Sequence, residues 1–141
     1  MKFHYDVSGT DFATAGSASS DIKKKLKQLG VPAAVIKRTA VAMYEAEMNM
    51  VVHAGGGTAD IDIGDAEIVI IMQDHGPGIP DLDKAMQEGY STAPPAVQGL
   101  GFGAGMGLPN MKRNADFMTI DTAAGRGTTV TMKILIDGES A

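Results

Sequence analysis

The chain has no cysteine, so neither a disulfide framework nor a thiolate site is open to it. Long apolar runs are also missing. The longest, Ile68-Val-Ile-Ile-Met72, falls far short of the roughly 20 residues that span a bilayer. The opening Met1-Lys-Phe-His-Tyr-Asp6 alternates instead of forming the apolar block of a secretory signal. These absences predict a cytoplasmic protein without a membrane segment. There is no excess of positive charge: 12 lysines and arginines against 17 acidic residues leave a net charge of −5, which argues against a broadly basic nucleic-acid surface. No Gly-Lys pair occurs, which excludes a P-loop, and His4, His53 and His75 lack the HExxH or comparable spacing of a transition-metal site. With 141 residues and 44% apolar content, the chain is large enough for one core and too short for two ordinary domains, so residues 1–141 are expected to form a single domain.

Glycine, by contrast, is concentrated. Gly99-Leu-Gly-Phe-Gly-Ala-Gly-Met-Gly-Leu108 places it at every second position five times. Such a run cannot be a packed strand, and each interior glycine costs a helix about 1 kcal/mol relative to alanine. It reads as a flexible loop feeding a helix that starts near Pro109, a favourable early-helix residue. The free N–H groups and positive dipole end of that helix suit an anion such as a phosphate chain. Gly99-Leu-Gly-Phe-Gly-Ala104 satisfies the GxGxxA form of the dinucleotide fingerprint, but that fingerprint needs a strand before it. Ser91-Thr-Ala-Pro-Pro95 lies upstream instead, so a Rossmann site is rejected. A mobile surface loop without a ligand is the plain alternative.

Phe3, Tyr5 and Val7 alternate with polar neighbours and predict an opening strand with one buried face. Ile22, Leu26 and Leu29, with lysines between them, predict an amphipathic helix from about Ser19 to Leu29, ended by Gly30, its lysines forming a solvated face. Ala33 to about Ala54 lacks glycine and proline and ends in Gly55-Gly-Gly57, the punctuation of a central helix. Strands are expected over 59–63 and 67–73 around a turn at Gly64-Asp65, the second apolar enough to be an interior strand covered on both faces. A long punctuated region, Asp74 to about Gly107, is expected to carry a short helix near 82–88 and has the length of a lid or binding element. A helix from Pro109 to about Asp116 and strands over 117–121 and 128–136 follow. The predicted architecture is an α+β two-layer sandwich: a mixed, largely antiparallel sheet with helices on one face.

Two places along this order can carry chemistry. Glu45 and Asn49, four apart on the central helix, lie within about 40° of each other around its axis, whereas Glu47 lies about 200° from Glu45. If one glutamate is chemical, it is Glu45. A carboxylate can orient or deprotonate an attacking hydroxyl, and an amide oxygen can ligate Mg²⁺ beside a triphosphate without adding negative charge. The competing reading is a solvated helix stripe; His53, one turn on, fits a residue that packs the helix end better than a metal ligand. Directly after the interior strand comes Asp74-His-Gly76-Pro-Gly78-Ile-Pro80. Asp74 can accept the exocyclic amino hydrogen of adenine while Gly76 and Gly78 let the backbone approach the flat base; a turn ending a strand is the alternative.

In this order the features resemble the GHKL ATPase superfamily and its Bergerat nucleotide-binding fold. Glu45-Ala-Glu-Met-Asn49 with His53 looks like the N box, Asp74-His-Gly76-Pro-Gly78 like the first glycine box, Gly103-Ala-Gly105-Met-Gly107 like the second, and Gly125-Arg-Gly127-Thr128 like the small glycine–threonine box. Gly76-Pro-Gly-Ile-Pro-Asp81, Gly89-Tyr-Ser-Thr92 and Gly107-Leu-Pro-Asn-Met-Lys-Arg113 are similar to bacterial anti-sigma factors and switch serine/threonine kinases. The resemblance implies Glu45 as catalytic base, Asn49 as Mg²⁺ ligand and Asp74 as adenine reader. It makes Gly103, Gly105 and Gly107 the phosphate cradle and hinge of a lid over about 79–107, with Thr128 near the adenine.

Two departures stand out. Met48 occupies a place where relatives often carry a polar or basic residue beside the phosphates, and Ala93-Pro-Pro-Ala-Val-Gln98 lengthens the lid. The leading expectation is an ATP–Mg²⁺-dependent regulatory protein serine/threonine kinase. By resemblance, its partner is an anti-sigma-antagonist-like STAS domain or a sigma factor. The alternative is an ATP-binding interaction module whose nucleotide-ordered lid controls partner binding without phosphotransfer; simple ATP hydrolysis is a third. A homodimer through an exposed edge of the N-terminal strand is compatible with the pattern.

Overall fold

Alternating apolar side chains at Phe3, Tyr5 and Val7 place one face of β1 (Lys2–Ser8) toward the interior, and the same period runs through the strands that follow. A computed structural model describes residues 1–9, 14–79, 86, 107–123 and 125–136. Among these, β1 is followed by α1 (Ser17–Gln28), α2 (Ala33–His53), β2 (Gly56–Ile63), β3 (Glu67–Gln73), α3 (Gly107–Asn114), β4 (Phe117–Ala123) and β5 (Gly127–Leu135). The expected order of elements is realised. The expected short helix near 82–88 lies outside the described residues except for Met86.

The strands form one sheet in the order β1-β2-β3-β5-β4. Each of its ladders is antiparallel, so the parallel component of the expected mixed sheet is not present among the described strands. Register explains the core. Phe3, Ile61, Ile70, Met132 and Met118 stand in one cross-strand row, and Tyr5, Ala59, Met72, Val130 and Ile120 in the next. Against these rows pack Ile22 and Leu26 of α1, Ala42, Met43, Ala46 and Met50 of α2, and Met111 of α3. Methionine, unbranched and polarisable, fills the irregular spaces that the few aromatic residues leave.

Further expectations are corrected. β3 is covered on one face only: Ile68, Ile70 and Met72 are buried, whereas Val69 is half-buried and Ile71 is 38% exposed. The described helices lie on a single side, and among the described residues the second face of β3 is flanked by cross-strand neighbours such as Asp60 and Thr131. β2 starts at Gly56, three residues earlier than expected, because Gly56 and Gly57 pair with Ser8 and Val7. Gly56 has φ of +95°, and a Cβ there would stand 2.2 Å from the Val7 carbonyl oxygen. The glycines that stop α2 therefore also admit the crossing of β1.

α3 begins at Gly107, two residues before the expected start, with Pro109 inside its first turn, where a missing N–H costs no helical hydrogen bond. It runs antiparallel to α2, braced at its far end by Arg38. That guanidinium donates from Nε to the Asn114 carbonyl at 3.2 Å and pairs with Asp116 at 2.8 Å.

Candidate functional site

The middle of α2 splits its polar residues between two faces. Glu45 and Asn49 are half-buried, one turn apart, on the side that meets α3. Glu47 is only 2% exposed and points the other way. Its Oε2 accepts from the backbone N–H groups of Gly16 at 2.9 Å and Ala18 at 3.3 Å, and its Oε1 from the N–H and hydroxyl of Ser19 at 3.0 and 2.6 Å. Gly16 offers α1 no side-chain cap, so Glu47 caps that helix from α2. The separation predicted from helical periodicity is thus realised, with Glu47 committed to structure.

α3 supplies the opposite wall. Asn110 donates from Nδ2 to Glu45 Oε1 at 3.3 Å, and Arg113 donates to Asn110 Oδ1 at 3.2 Å. Burial pushes the pKa of Glu45 above its usual value, and the Asn110 hydrogen bond opposes that shift. At the start of α3, Gly107 lies so close to Asn49 that an added Cβ would stand 2.9 Å from Oδ1 and 3.1 Å from Nδ2. A helix N-terminus, whose orphan N–H groups favour an anion, thereby meets an amide that can ligate a cation.

The second part of the site lies at the ends of β3, β4 and β5. Asp74 Oδ1 accepts from the N–H groups of Gly76 at 3.0 Å and Thr128 at 3.1 Å, and the Asp74 N–H donates to the Thr128 carbonyl at 2.9 Å. The Thr128 hydroxyl is 2.9 Å from that of Thr122, whose oxygen accepts from the Ile79 N–H at 2.9 Å. Gly78 has φ of +81°, the left-handed region. Gly76 rests against the end of α2, where an added Cβ would be 2.6 Å from the Ala54 Cβ. Ala54 is five residues from Asn49, about 7.5 Å of helix. One helix thus links a carboxylate suited to an exocyclic amine with an amide suited to a phosphate-bound cation.

Of the expected site residues, the structure brings together Glu45, Asn49 and Gly107 along α2 and α3, and Asp74, Gly76 and Thr128 at the strand ends. Gly103 and Gly105, and most of the expected lid, lie outside the described residues. Met48 is buried with its Cε toward Gly16. His53, in the last turn of α2, is half-buried, and burial lowers its pKa, as suits a residue packing the helix end. Sequence reasoning missed Thr122 and Asn110; the Thr122-to-Thr128 spacing across a glycine turn signalled the first, and nothing local signals the second. A separate cavity of about 370 Å³ between α3 and β4, lined by Met86, Lys112, Ala115, Asp116, Met118 and Ile120, contains none of these groups.

Residues 12–137 match the family described as histidine kinase-, DNA gyrase B-, and HSP90-like ATPase. The chain is 36% identical over 108 residues to the serine/threonine-protein kinase RsbT of Bacillus subtilis, covering 74% of this chain and 75% of that protein. To the anti-sigma F factor of Clostridium acetobutylicum it is 29% identical over 140 residues, covering 94% of this chain and 90% of the other. The crystal structure of the RsbU and RsbW domains of Rv1364c from Mycobacterium tuberculosis superposes with a TM-score of 0.65 at 18% identity, over 96% of this chain and 32% of that longer one. The mycobacterial sensor histidine kinase MprB superposes with a TM-score of 0.54 at 14% identity, over 96% of this chain and 97% of its own. These two structural likenesses concern the fold.

Proposed function

The chain belongs to the histidine kinase-, DNA gyrase B- and HSP90-like ATPase family, and from that premise we propose that it is a regulatory serine/threonine kinase of the anti-sigma and switch type. ATP binding follows from the family; Mg²⁺, the acceptor and the residue roles are our assignment. The observation that carries it is the half-buried Glu45, its pKa raised by burial, set against the helix that directly follows the glycine-rich segment. A carboxylate so placed is a competent proton acceptor for a hydroxyl.

In this reading residues 1–141 act as one ATP-binding domain with a lid over about 79–107. Asp74 accepts the amino hydrogen of adenine; its Oδ1 is held by two backbone N–H groups, which aims the carboxylate. Thr128 lies beside it, and Gly76 and Gly78 keep that wall free of side chains. Asn49 and the N-terminus of α3 at Gly107, with Gly103 and Gly105, hold the Mg²⁺-bound phosphates. Bound ATP–Mg²⁺ supplies an electrophilic γ-phosphoryl group and a stabilised ADP leaving group. Glu45 accepts the proton of a serine or threonine hydroxyl on a partner as that oxygen bonds to the phosphoryl group, giving phosphoprotein and ADP.

The RsbT and anti-sigma F likenesses favour a regulatory protein partner, and an anti-sigma-antagonist-like STAS domain is our assignment for it, a sigma factor the second. No helix among the described residues is long and apolar enough to cross a membrane, and a cytoplasmic setting belongs to the same reading. The test titrates ATP with and without Mg²⁺ and then measures phosphotransfer to purified STAS-domain and sigma-factor candidates. Mg²⁺-dependent binding with transfer that Glu45→Gln abolishes is expected. Binding without transfer to any partner, with partner affinity that differs between ATP and ADP, would replace the kinase by the interaction module.

A further inference from the structure

We infer that Asn110 is a positioning residue for Glu45, aiming one carboxylate oxygen and leaving the other to receive the acceptor's proton. The inference rests on the reading of Glu45 as that proton acceptor. The geometry begins with Arg113, whose guanidinium can only donate. Its hydrogen bond to Asn110 at 3.2 Å therefore fixes the amide oxygen on the Arg113 side and turns the NH₂ toward Glu45 Oε1, 3.3 Å away. Asn110 is held at its own level of the helix pair. Above it Gly107 lies against Asn49, and below it Arg38 binds Asn114 and Asp116. Three levels of contact between α2 and α3 leave the amide little freedom to move relative to the carboxylate.

Asn110 also sits three residues after Gly107, where α3 leaves the glycine-rich segment. The helix that presents its N-terminus to the phosphates therefore touches the proton acceptor with its next turn. On α2 no charged residue lies within one turn of Glu45 except Glu47 on the opposite face. On α3 the charged side chain in the network is Arg113, which reaches Glu45 through Asn110. The Asn110 hydrogen bond favours the ionised carboxylate, while burial disfavours it.

Asn110→Leu keeps the branching at Cγ, is bulkier and a better helix former, and removes the donor; Asn110→Asp keeps the shape and places a negative charge beside Glu45. Melting temperatures check that both fold, since the side chain is only half-buried. In the leucine variant kcat is expected to fall about tenfold at neutral pH, as for one lost hydrogen bond to a charged group, with KM for ATP within about twofold. The acid limb of its pH profile moves to higher pH, and that of the aspartate variant moves further.

The second readout needs no turnover: ¹³C-carboxyl NMR titration of Glu45 in the nucleotide-free variants is expected to show its midpoint raised in the same order. An unchanged Glu45 midpoint in both overturns the inference, whatever the kinase assay gives. A wild-type protein that transfers no phosphate while the midpoints move as expected overturns the kinase reading and leaves the Asn110–Glu45 contact standing.

Discussion

Removing the carboxylate of Glu47 should cost more stability than any other single polar change in α2, although Glu47 stands two residues from the proposed base. The side chain is 2% exposed, and its oxygens accept three backbone N–H groups and the Ser19 hydroxyl. Glu47→Ala leaves those donors unpaired in the interior, where each unsatisfied group costs about 1–3 kcal/mol, and opens a cavity besides. Summed over these donors and partly relieved by local relaxation, the loss is expected to be about 3–5 kcal/mol. Glu47→Gln is milder. Its NH₂ is best placed on the Ser19 side, where it can donate to the hydroxyl oxygen, so only the Ser19 N–H is orphaned, a loss of about 1–3 kcal/mol.

Urea unfolding followed by far-ultraviolet circular dichroism measures both. With a slope of about 2 kcal/mol per molar, the alanine variant should unfold about 2 M earlier than the parent and the glutamine variant about 1 M earlier. Phosphotransfer per folded molecule should remain close to the parent's in Glu47→Gln. An alanine variant whose midpoint moves by less than about 0.3 M, about 0.6 kcal/mol at that slope, would refute the cap. A folded Glu47→Gln protein that has lost transfer, beside an active Glu45→Gln protein, would refute the division of the helix into a structural and a chemical face.

The remaining predictions concern the site. Glu45→Gln should lower transfer by about a hundredfold to ten-thousandfold while leaving the ATP dissociation constant unchanged. Because the folded-state pKa of Glu45 is raised by burial, its contribution to stability is fully present below the unfolded pKa and lost as pH rises through the folded value; urea midpoints on either side of that window should converge in Glu45→Gln, and an unchanged slope would count against the shift. Asp74→Asn keeps an oxygen for the Gly76 and Thr128 N–H groups and turns an NH₂ to the adenine amine, so ATP affinity measured by calorimetry should fall about tenfold or more with little change in melting temperature. Gly107→Ala, often neutral or stabilising at a helix start, should push Asn49 aside, since the new Cβ would meet its Oδ1 at 2.9 Å; the gain in ATP affinity on adding Mg²⁺ should shrink about tenfold, and an undiminished gain would remove Asn49 from the cation site.

What could be read from the residues divides along a physical line. Features set by chain neighbours are legible. The period of Ile22 and Leu26, the glycines after His53 and the alternation of Phe3, Tyr5 and Val7 locate α1, α2 and β1 to within a few residues, and helical periodicity of 100° per residue separates Glu45 from Glu47. The pairing of Asp74 with Thr128, 54 residues apart, was accessible only through the order of the glycine boxes.

Features set by what covers an element are not legible. Ile68 to Met72 is a continuous apolar run, yet only alternate residues meet the helices, because branched side chains also suit a pleated surface sheltered by its neighbours. In the same way the sequence marks Glu47 as polar on an apolar face without revealing the N-terminus of α1 as its partner, 28 to 31 residues away. Asn110 is an ordinary helical asparagine until α3 is laid against α2, and its 65-residue separation from Glu45 leaves no local trace. The helix pair on which the proposed chemistry of Glu45 depends is therefore a product of tertiary packing, and a substitution that moved α3 along α2 by a single turn would separate the proposed proton acceptor from the amide that contacts it while leaving every sequence box intact.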